Sequence, residues 1–335
     1  MKLTMRLLRQ VASGLLGTLL ALAAVAVEPQ PPSANRVTLM PLWSPQAQFA
    51  GYYVGIEKGI YARHGIDVAL LPAGPGFSPA DALSSGKADF AVLWLTTAMQ
   101  RRDQGLPLVN LAQMVQRSSM MLVSKRSSGI RTIADMNGRK VGLWGGDLSI
   151  PVYALFEREH ITVREVPQGI TVNLFLRGGI DVASAMWYNE YHTLLISGVD
   201  PDELNTIFIA DEGLKYPEDG LYALDSTVRA RPAITAAFVR ASLEAWQYAF
   251  DHPDETLDIV IRRMREARLP ANRVHQQWML DRMRDLMQPA SAGTPRGQLT
   301  RADYLAVAES MKRERLIRGY PPFEEFLWSE DARQR

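Results

Sequence analysis

The chain has 335 residues, 47% of them hydrophobic and 22% charged, which fits a globular protein of one large or two medium domains. Lys and Arg total 37 against 36 Asp and Glu, so composition gives no electrostatic case for a nucleic-acid partner. The chain has no cysteine, which excludes disulfides, thiol nucleophiles, zinc–thiolate sites and lipid attachment through an N-terminal cysteine.

Residues 1–26 have the layout of a secretory signal peptide. The basic residues at its start are Lys2, Arg6 and Arg9. An apolar run of 17 residues follows at 11–27, and small residues offer cleavage after Ala26 or after Ala23. An uncleaved anchor is the alternative, but a run of this length is marginal for spanning a bilayer. We therefore expect export and cleavage.

Strands and helices alternate over most of the mature chain. The predicted strands are residues 36–40, 64–71, 88–95, 108–115, 120–124, 140–144, 161–166 and 181–186. The predicted helices between them are residues 50–61, 80–83, 96–102, 133–138, 150–160 and 171–176. This alternation indicates parallel βαβ units with helices on both faces of the sheet.

Two segments of the chain resemble each other. Residues 83–91 and 176–183 each contain a helix end, a glycine, an aspartate and a buried strand. The two strands deliver Trp94 and Trp187, respectively, at their ends. The repeat favours two similar lobes over a single sheet.

The last third of the chain is helical. The predicted helices are residues 232–250, 254–268, 273–287 and 301–313. Thr300, with Asp303 three residues later, resembles a capping box at the start of the last one. Their Leu, Met, Phe and Trp side chains recur at helical spacing, so we interpret them as packing residues.

Motifs of common enzyme classes are missing from the sequence. It contains no Gly-x-Ser-x-Gly elbow, Walker loop or complete dinucleotide fingerprint. The five histidines are His64, His160, His192, His252 and His275. None forms a metal-ligand pair at short spacing, so we expect surface or boundary positions for them, no metal and no cofactor.

Aromatic and polar side chains cluster in the predicted loops after strands. The aromatic ones are Trp43, Tyr52, Tyr53, Trp94, Trp144, Trp187 and Tyr188. The polar ones are Gln46, Gln48, Asn189, Glu190, Glu218 and Asp219. Because parallel strands share one edge for their carboxyl ends, these groups predict a cleft that stacks on a flat ring. The alternative for any one aromatic is packing in the core or between lobes.

The charges in these loops indicate the character of the ligand. Apart from Lys215, the loops contain no Lys or Arg that would select a sulfonate, nitrate or phosphate. A carboxylate such as Glu190 accepts hydrogen bonds from amino and ring N–H groups. The predicted ligand is therefore planar, rich in N–H donors, and neutral or cationic. The alternative for Glu190 is a solvated carboxylate at a helix start.

Residues 46–61 resemble the periplasmic substrate-binding proteins of ABC importers that bind thiamine pyrimidine precursors (the ThiY-like family). This family shares its fold with the yeast pyrimidine synthases. The further matching segments are residues 72–76, 86–90, 187–191 and 216–220. The similarity covers about residues 36–325. It departs from the synthases in lacking their cysteine-rich motif, which disfavours the enzymatic branch.

The resemblance implies a type II periplasmic-binding fold with two doubly wound α/β lobes, two hinge crossings and C-terminal helices. Lobe one is predicted at 36–118 plus 223–335 and lobe two at 119–222, with closure around the ligand. The implied ligand contacts are Trp43, Gln48, Tyr52, Trp94, Trp144, Tyr188, Asn189, Glu190 and Asp219.

The implied function is capture of an aminopyrimidine-like compound in the periplasm by a monomer that is not an enzyme. The partner would be an inner-membrane ABC permease with its ATPase. A sulfonate- or nitrate-binding protein and a pyrimidine-synthesis enzyme on the same fold are the alternatives.

Overall fold

The computed structural model describes residues 35–288 and 295–329. The predicted signal peptide, residues 1–26, lies outside the described residues. None of the helices within the described ranges has the length and apolar character needed to cross a membrane.

Ten strands form two five-stranded sheets. The strands of the first sheet are β1 (Arg36–Met40), β2 (Asp67–Leu70), β3 (Phe90–Trp94), β4 (Leu108–Gln113) and β10 (Asp219–Leu224). The strands of the second sheet are β5 (Met120–Lys125), β6 (Lys140–Leu143), β7 (Arg164–Pro167), β8 (Val182–Met186) and β9 (Leu204–Phe208). Each predicted strand in residues 36–186 is therefore present.

The two sheets have equivalent topologies. Their spatial orders are β2-β1-β3-β10-β4 and β7-β6-β8-β5-β9. In each, four strands run in the same direction, and three of these are paired in parallel, as βαβ units require. The prediction of parallel units was wrong for β5, which is antiparallel to β8 and β9. No strand was predicted at β10, which is antiparallel to β3 and β4. The chain reaches β5 directly from the first sheet and β10 directly from the second sheet. Neither strand follows a βαβ crossover within its own sheet.

The helices that accompany the strands are α1 (Ala50–Glu57), α2 (Ile60–Arg63), α3 (Pro79–Ser84), α4 (Leu95–Asp103), α5 (Ile150–Arg158), α6 (Asn173–Leu176), α7 (Glu190–Ile196) and α8 (Asp225–Ala230). The C-terminal helices are α9 (Pro232–Asp251), α10 (Pro253–Glu266), α11 (Arg273–Leu286), α12 (Arg301–Arg313) and α13 (Phe323–Phe326). The predicted cap of α12 is present, because Thr300 Oγ1 accepts the Asp303 N–H at 3.0 Å.

The repeated segment has the same structure in both sheets. Gly86 and Gly178 follow α3 and α6 with φ of 71° and 70°, a left-handed conformation that glycine adopts without strain. The Asp89 carboxylate then accepts a backbone N–H of β1 at 2.7 Å, and the Asp181 carboxylate accepts one of β6 at 2.8 Å. Each aspartate therefore ties the start of its central strand to the neighbouring strand.

Close packing of α1 on α9 fixes the position of the segment after β1. A methyl group on Gly51 would overlap the ring of Trp246 on α9, so only glycine allows this approach. On the same helix, the Phe238 ring stacks on Phe90 of β3, with centroids 4.1 Å apart. The C-terminal helix thus covers the first sheet, as the apolar spacing of residues 232–250 predicts.

The chain passes from the first sheet to the second between β4 and β5, and it returns between β9 and β10. Two crossings are what the type II periplasmic-binding fold requires. The lobe boundaries at residues 118 and 222 stay a prediction.

Candidate functional site

Three buried carboxyl groups come together between the two sheets. Glu218 precedes β10, Asp219 begins it, and Glu190 begins α7 after β8. All three act on one phenol, that of Tyr188, whose pKa is raised by burial and by the charges of Glu218, Asp219 and Glu190. These side chains are each at most 9% exposed, so they form one shielded cluster.

Asp219 joins the first loop of the chain to the centre of the first sheet. It lies opposite Trp94 in the antiparallel pairing of β10 with β3. Gln48 Nε2 donates to Asp219 Oδ2 at 2.9 Å, and Gln46 Nε2 donates to Gln48 Oε1 at 2.6 Å. Burial raises the pKa of Asp219 to about 6, against the lowering effect of Gln48 and Trp94. The predicted Gln48, Trp94 and Asp219 are therefore in one place.

One donor and one acceptor in this place have no hydrogen-bond partner among the described residues. They are the indole Nε1 of Trp94 and Oδ1 of Asp219, both buried. Although Trp94 lies close enough to lower the pKa of Asp219, the geometry between them is not that of a hydrogen bond. Because buried polar atoms are rarely left unpaired, this pair is suited to a bound molecule that presents both an acceptor and a donor.

Glu190 is the carboxyl group contributed by the second lobe. Its Oε2 accepts the Met186 N–H at 3.0 Å, and its Oε1 accepts from Asn189 Nδ2 at 2.8 Å. Burial raises its pKa to about 7, although these hydrogen bonds oppose the rise. A ligand N–H donor would complete the hydrogen bonding of the ionised form.

Glu218 connects the two crossings of the chain. Its Oε1 accepts from Ser118 Oγ at 3.0 Å and from Ser119 N at 2.6 Å, and its Oε2 lies 2.9 Å from Ser119 Oγ. Burial raises its pKa to about 8, and Asp219 adds to the rise against the N–H and hydroxyl of Ser119. The sequence places Glu218 among the polar loop groups, but the predicted ligand contacts omit it. Its position next to Asp219 in the sequence was the signal from which it could have been included among the predicted contacts.

The remaining predicted contacts are aromatic. Trp43 follows β1 and Trp144 follows β6, and each is half-buried and packs against the main core. Tyr52 is 1% exposed and meets Trp246 edge-on at 5.8 Å, so it packs between α1 and α9. Asp219 is near enough to add to the raised pKa of Tyr52.

The surface position expected for the histidines was wrong for His192. It is 7% exposed, and its Nδ1 lies 2.9 Å from His275 Nδ1 on α11. Sequence spacing gives no sign of this pair, since the partners lie 83 residues apart. Within the described ranges, no three metal-ligating side chains are grouped where they could hold an ion.

Known proteins resemble this chain in sequence. It is 28% identical over 261 residues to the riboflavin-binding protein RibY of Chloroflexus aurantiacus, an alignment covering 74% of this chain and 72% of that protein. It is 26% identical over 245 residues to the formylaminopyrimidine-binding protein of Halalkalibacterium halodurans, covering 70% of this chain and 72% of that protein.

Solved structures share the fold. The periplasmic aliphatic sulphonate-binding protein SsuA of Escherichia coli superposes with a TM-score of 0.68 at 14% identity, over 89% of this chain and 93% of that one. This likeness confirms the predicted periplasmic-binding fold. The family described as NMT1/THI5 like matches residues 46–256, which include the Gln48, Trp94 and Glu190 positions. The chain therefore belongs to the NMT1/THI5-like family.

Proposed function

We propose that this protein is a periplasmic solute-binding protein that captures a small planar N-heterocycle between its lobes and delivers it to an ABC permease with its ATPase. The ligand class is an aminopyrimidine of the thiamine-precursor type, or a larger ring system with the same hydrogen-bonding edge. Relatives named for binding formylaminopyrimidine and riboflavin support this class. The proposed ligand contacts are Trp43, Gln48, Tyr52, Trp94, Trp144, Tyr188, Asn189, Glu190 and Asp219.

The observation that carries the proposal is the cluster of three buried carboxyl groups without a cation. The hydrogen-bond partners of Glu190, Glu218 and Asp219 in the described chain are backbone N–H, amide and hydroxyl groups, with no Lys or Arg among them. The ionised members of a buried carboxyl cluster repel an anion, and they are stabilised by a ligand that donates hydrogen bonds or carries positive charge. This supports an amino- and ring-N–H-bearing ligand.

The unpaired atoms of Trp94 and Asp219 narrow the proposed class of ligand further. A ring nitrogen beside an exocyclic amino group presents one acceptor and one donor side by side. The indole N–H can donate to such a nitrogen while Asp219 Oδ1 accepts from the amino group. Meeting both requirements removes the cost of two unsatisfied buried atoms, about 1–3 kcal/mol each.

The two alternative functions are less well supported. Sulfonate-binding proteins share the fold, but the carboxyl cluster is the wrong charge for a sulfonate. Pyrimidine synthases are also similar to part of this chain, for example the Schizosaccharomyces pombe enzyme over 34% of it. The cysteine-free sequence and the predicted signal peptide favour a binding protein over an enzyme.

Titration calorimetry tests the proposal with formylaminopyrimidine, hydroxymethylpyrimidine, riboflavin and an alkanesulfonate. We expect the Glu190→Gln variant to bind the preferred heterocycle more weakly by about 1.5–3 kcal/mol, the value of a charge-assisted hydrogen bond. Binding of an N–H donor favours ionised Glu190, so wild-type affinity should be full above pH 7 and fall below it. The variant should lack that dependence.

The matched control is Glu157→Gln on the exposed face of α5, which should bind like the wild type. Tight binding of the alkanesulfonate and none of the heterocycles would refute the ligand class. Unchanged affinity in the Glu190 variant would remove this carboxyl from the site.

A further inference from the structure

A second polar cluster joins the two lobes beside the carboxyl groups. His275 lies on α11, which packs against α9, α10 and the short 3-10 helix after β1, on the side of the first sheet. Its Nδ1 lies 2.9 Å from His192 Nδ1, and its Nε2 lies 2.9 Å from Asn189 Oδ1. Asn189 and His192 follow β8 of the second sheet, so His275 contacts the opposite lobe with both ring nitrogens.

The hydrogen-bond partners determine where the ring protons are. Asn189 Nδ2 donates to Glu190, which leaves Asn189 Oδ1 as an acceptor facing His275. Neutral His275 therefore carries its proton on Nε2 and accepts at Nδ1 from the Nδ1–H of His192. The result is a directed series of hydrogen bonds from His192 through His275 and Asn189 to the Glu190 carboxyl.

Aromatic contacts hold the same surfaces together. The His192 ring stacks on Trp278 of α11 with centroids 4.7 Å apart, and Trp278 Nε1 donates to the Trp187 carbonyl oxygen at 3.0 Å. The Arg282 guanidinium lies 4.7 Å from the Trp187 ring and 4.8 Å from the Trp278 ring, within cation–π range of both. The contacts to His192 and Trp187 pair α11 with the segment around Glu190.

We propose that His275 is a positioning residue that couples closure of the two lobes to the orientation of the Glu190 carboxyl. Only when the lobes meet does its Nε2–H reach Asn189 and fix the amide so that Nδ2 points at Glu190. This rests on the proposed function, because it assigns Glu190 to the ligand. Closure and ligand binding then favour each other through one hydrogen-bonded series.

The two imidazoles make this coupling sensitive to pH. In this structure, where His275 contacts His192 and Asn189, burial lowers the pKa of His275 to about 4, with the charge of His192 contributing, and burial also lowers the pKa of His192. When the lobes separate, both rings regain water and their pKa values return towards 6.5. The open form therefore takes up protons first as pH falls below 6.5, and the closed form loses stability between that pH and about 4.

Other titratable and charged groups lie on the elements packed against His275. They are Glu190 on α7, Arg282 on α11, and Asp254 and Asp258 of α10, which pair with Arg273. Because the pairs of Arg273 are exposed and preformed, they change little between the two states. Glu190 and Asp219 also titrate in this range, so the pH test compares proteins that keep both carboxyl groups and differ only at His275.

The test compares His275→Ala with His275→Gln. The Gln Nε2 occupies about the position of the imidazole Nε2, so it keeps the donor to Asn189 but cannot titrate. Because the natural chain has no cysteine, Phe77→Cys and Ile170→Cys provide a unique pair of spin-label positions. These exposed residues lie in the loops after β2 and β7, one on each lobe, and their label separation reports closure.

We expect His275→Ala to increase the label separation with bound ligand and to weaken binding at pH 7.5 about tenfold. His275→Gln should restore wild-type separation and bind within about threefold of wild type at pH 7.5, with only the decline due to Glu190 remaining towards pH 5.5. The coupling is overturned if the Ala variant matches wild type in both measurements, or if Ala and Gln are equally impaired.

If none of the heterocycles binds wild-type protein, the proposed function fails, but the unliganded label separation still decides the role of His275. Lowering the pH from 7.5 to 5.5 should change the unliganded label separation more in the wild type than in His275→Gln, which keeps only His192 of the pair. A wild-type label separation that does not change with pH would by itself overturn the proposal. Thermal melting confirms that each variant is folded.

Discussion

Glu218 allows a direct test of whether burial keeps a carboxyl group neutral at physiological pH. Glu218 Oε1 accepts the Ser119 N–H and the Ser118 hydroxyl, and Oε2 lies within hydrogen-bond distance of Ser119 Oγ. In the protonated form Oε2 carries the proton and donates it to Ser119 Oγ. A glutamine reproduces this arrangement, with Oε1 as the acceptor and Nε2 as the donor. Glu218→Gln therefore preserves the hydrogen bonds of the neutral acid and removes its ability to ionise.

The size of the effect follows from linkage between proton binding and folding. The pKa of Glu218 rises from 4.5 to about 8 in the folded chain, so the native state retains a proton that the unfolded state has lost. Wild-type stability therefore falls as pH rises from 4.5 to about 8. At about 1.4 kcal/mol per unit of pKa shift, the loss has an upper limit of about 5 kcal/mol.

Urea unfolding from pH 4.5 to 9, followed by circular dichroism, measures this loss. We expect the two proteins to have similar stability near pH 4.5 and the variant to become increasingly more stable towards pH 8. Glu309→Gln, at an exposed position on α12, controls for the amide substitution itself. A stability difference that stays constant with pH would mean that the Ser118 and Ser119 donors outweigh burial and keep Glu218 ionised.

Two packing predictions concern α1 and α9, the helices that pack together beside the loop after β1. Gly51→Ala should destabilise the protein by about 1–3 kcal/mol in urea unfolding, because the new methyl group overlaps Trp246. Gly169→Ala, where nothing lies within 4 Å of the added methyl, is the control, and equal effects of the two changes would contradict the explanation. Phe238→Ala should lower the free energy of unfolding by about 3–5 kcal/mol in the same assay, because the ring is fully buried against Phe90. A loss below about 1 kcal/mol would show that the neighbouring side chains collapse into the cavity.

Local pattern predicts the elements of this fold where one strand follows another through a helix. The apolar run at 88–95 becomes β3 because buried parallel strands are continuously apolar, and the segment at 232–250 becomes α9 because its aromatic residues recur at helical spacing. The equivalence of residues 83–91 and 176–183 is visible in the sequence because both sheets need the same glycine turn and the same aspartate.

The direction of β5 and β10 could not be predicted from local pattern. An apolar strand has the same composition whether its neighbour runs parallel or antiparallel, and direction depends here on a crossing from the other lobe. The same limit applies to the site. Gln48 and Asp219 meet although 171 residues separate them, and His192 and His275 meet across the cleft. Side chains at strand ends indicate where a site forms, but not which atoms pair within it.

The place of β10 has a consequence for how the chain is made. Among the strands of the described residues, β4 pairs with β10 alone, and β10 also pairs with β3. During synthesis β4 therefore remains without its partner while all five strands of the second sheet emerge. The first sheet is completed only after Leu224. The first lobe therefore cannot finish folding before the strands of the second lobe have been synthesised. This late pairing of distant strands slows folding, because the cost of bringing β4 and β10 together is met only after about a hundred intervening residues.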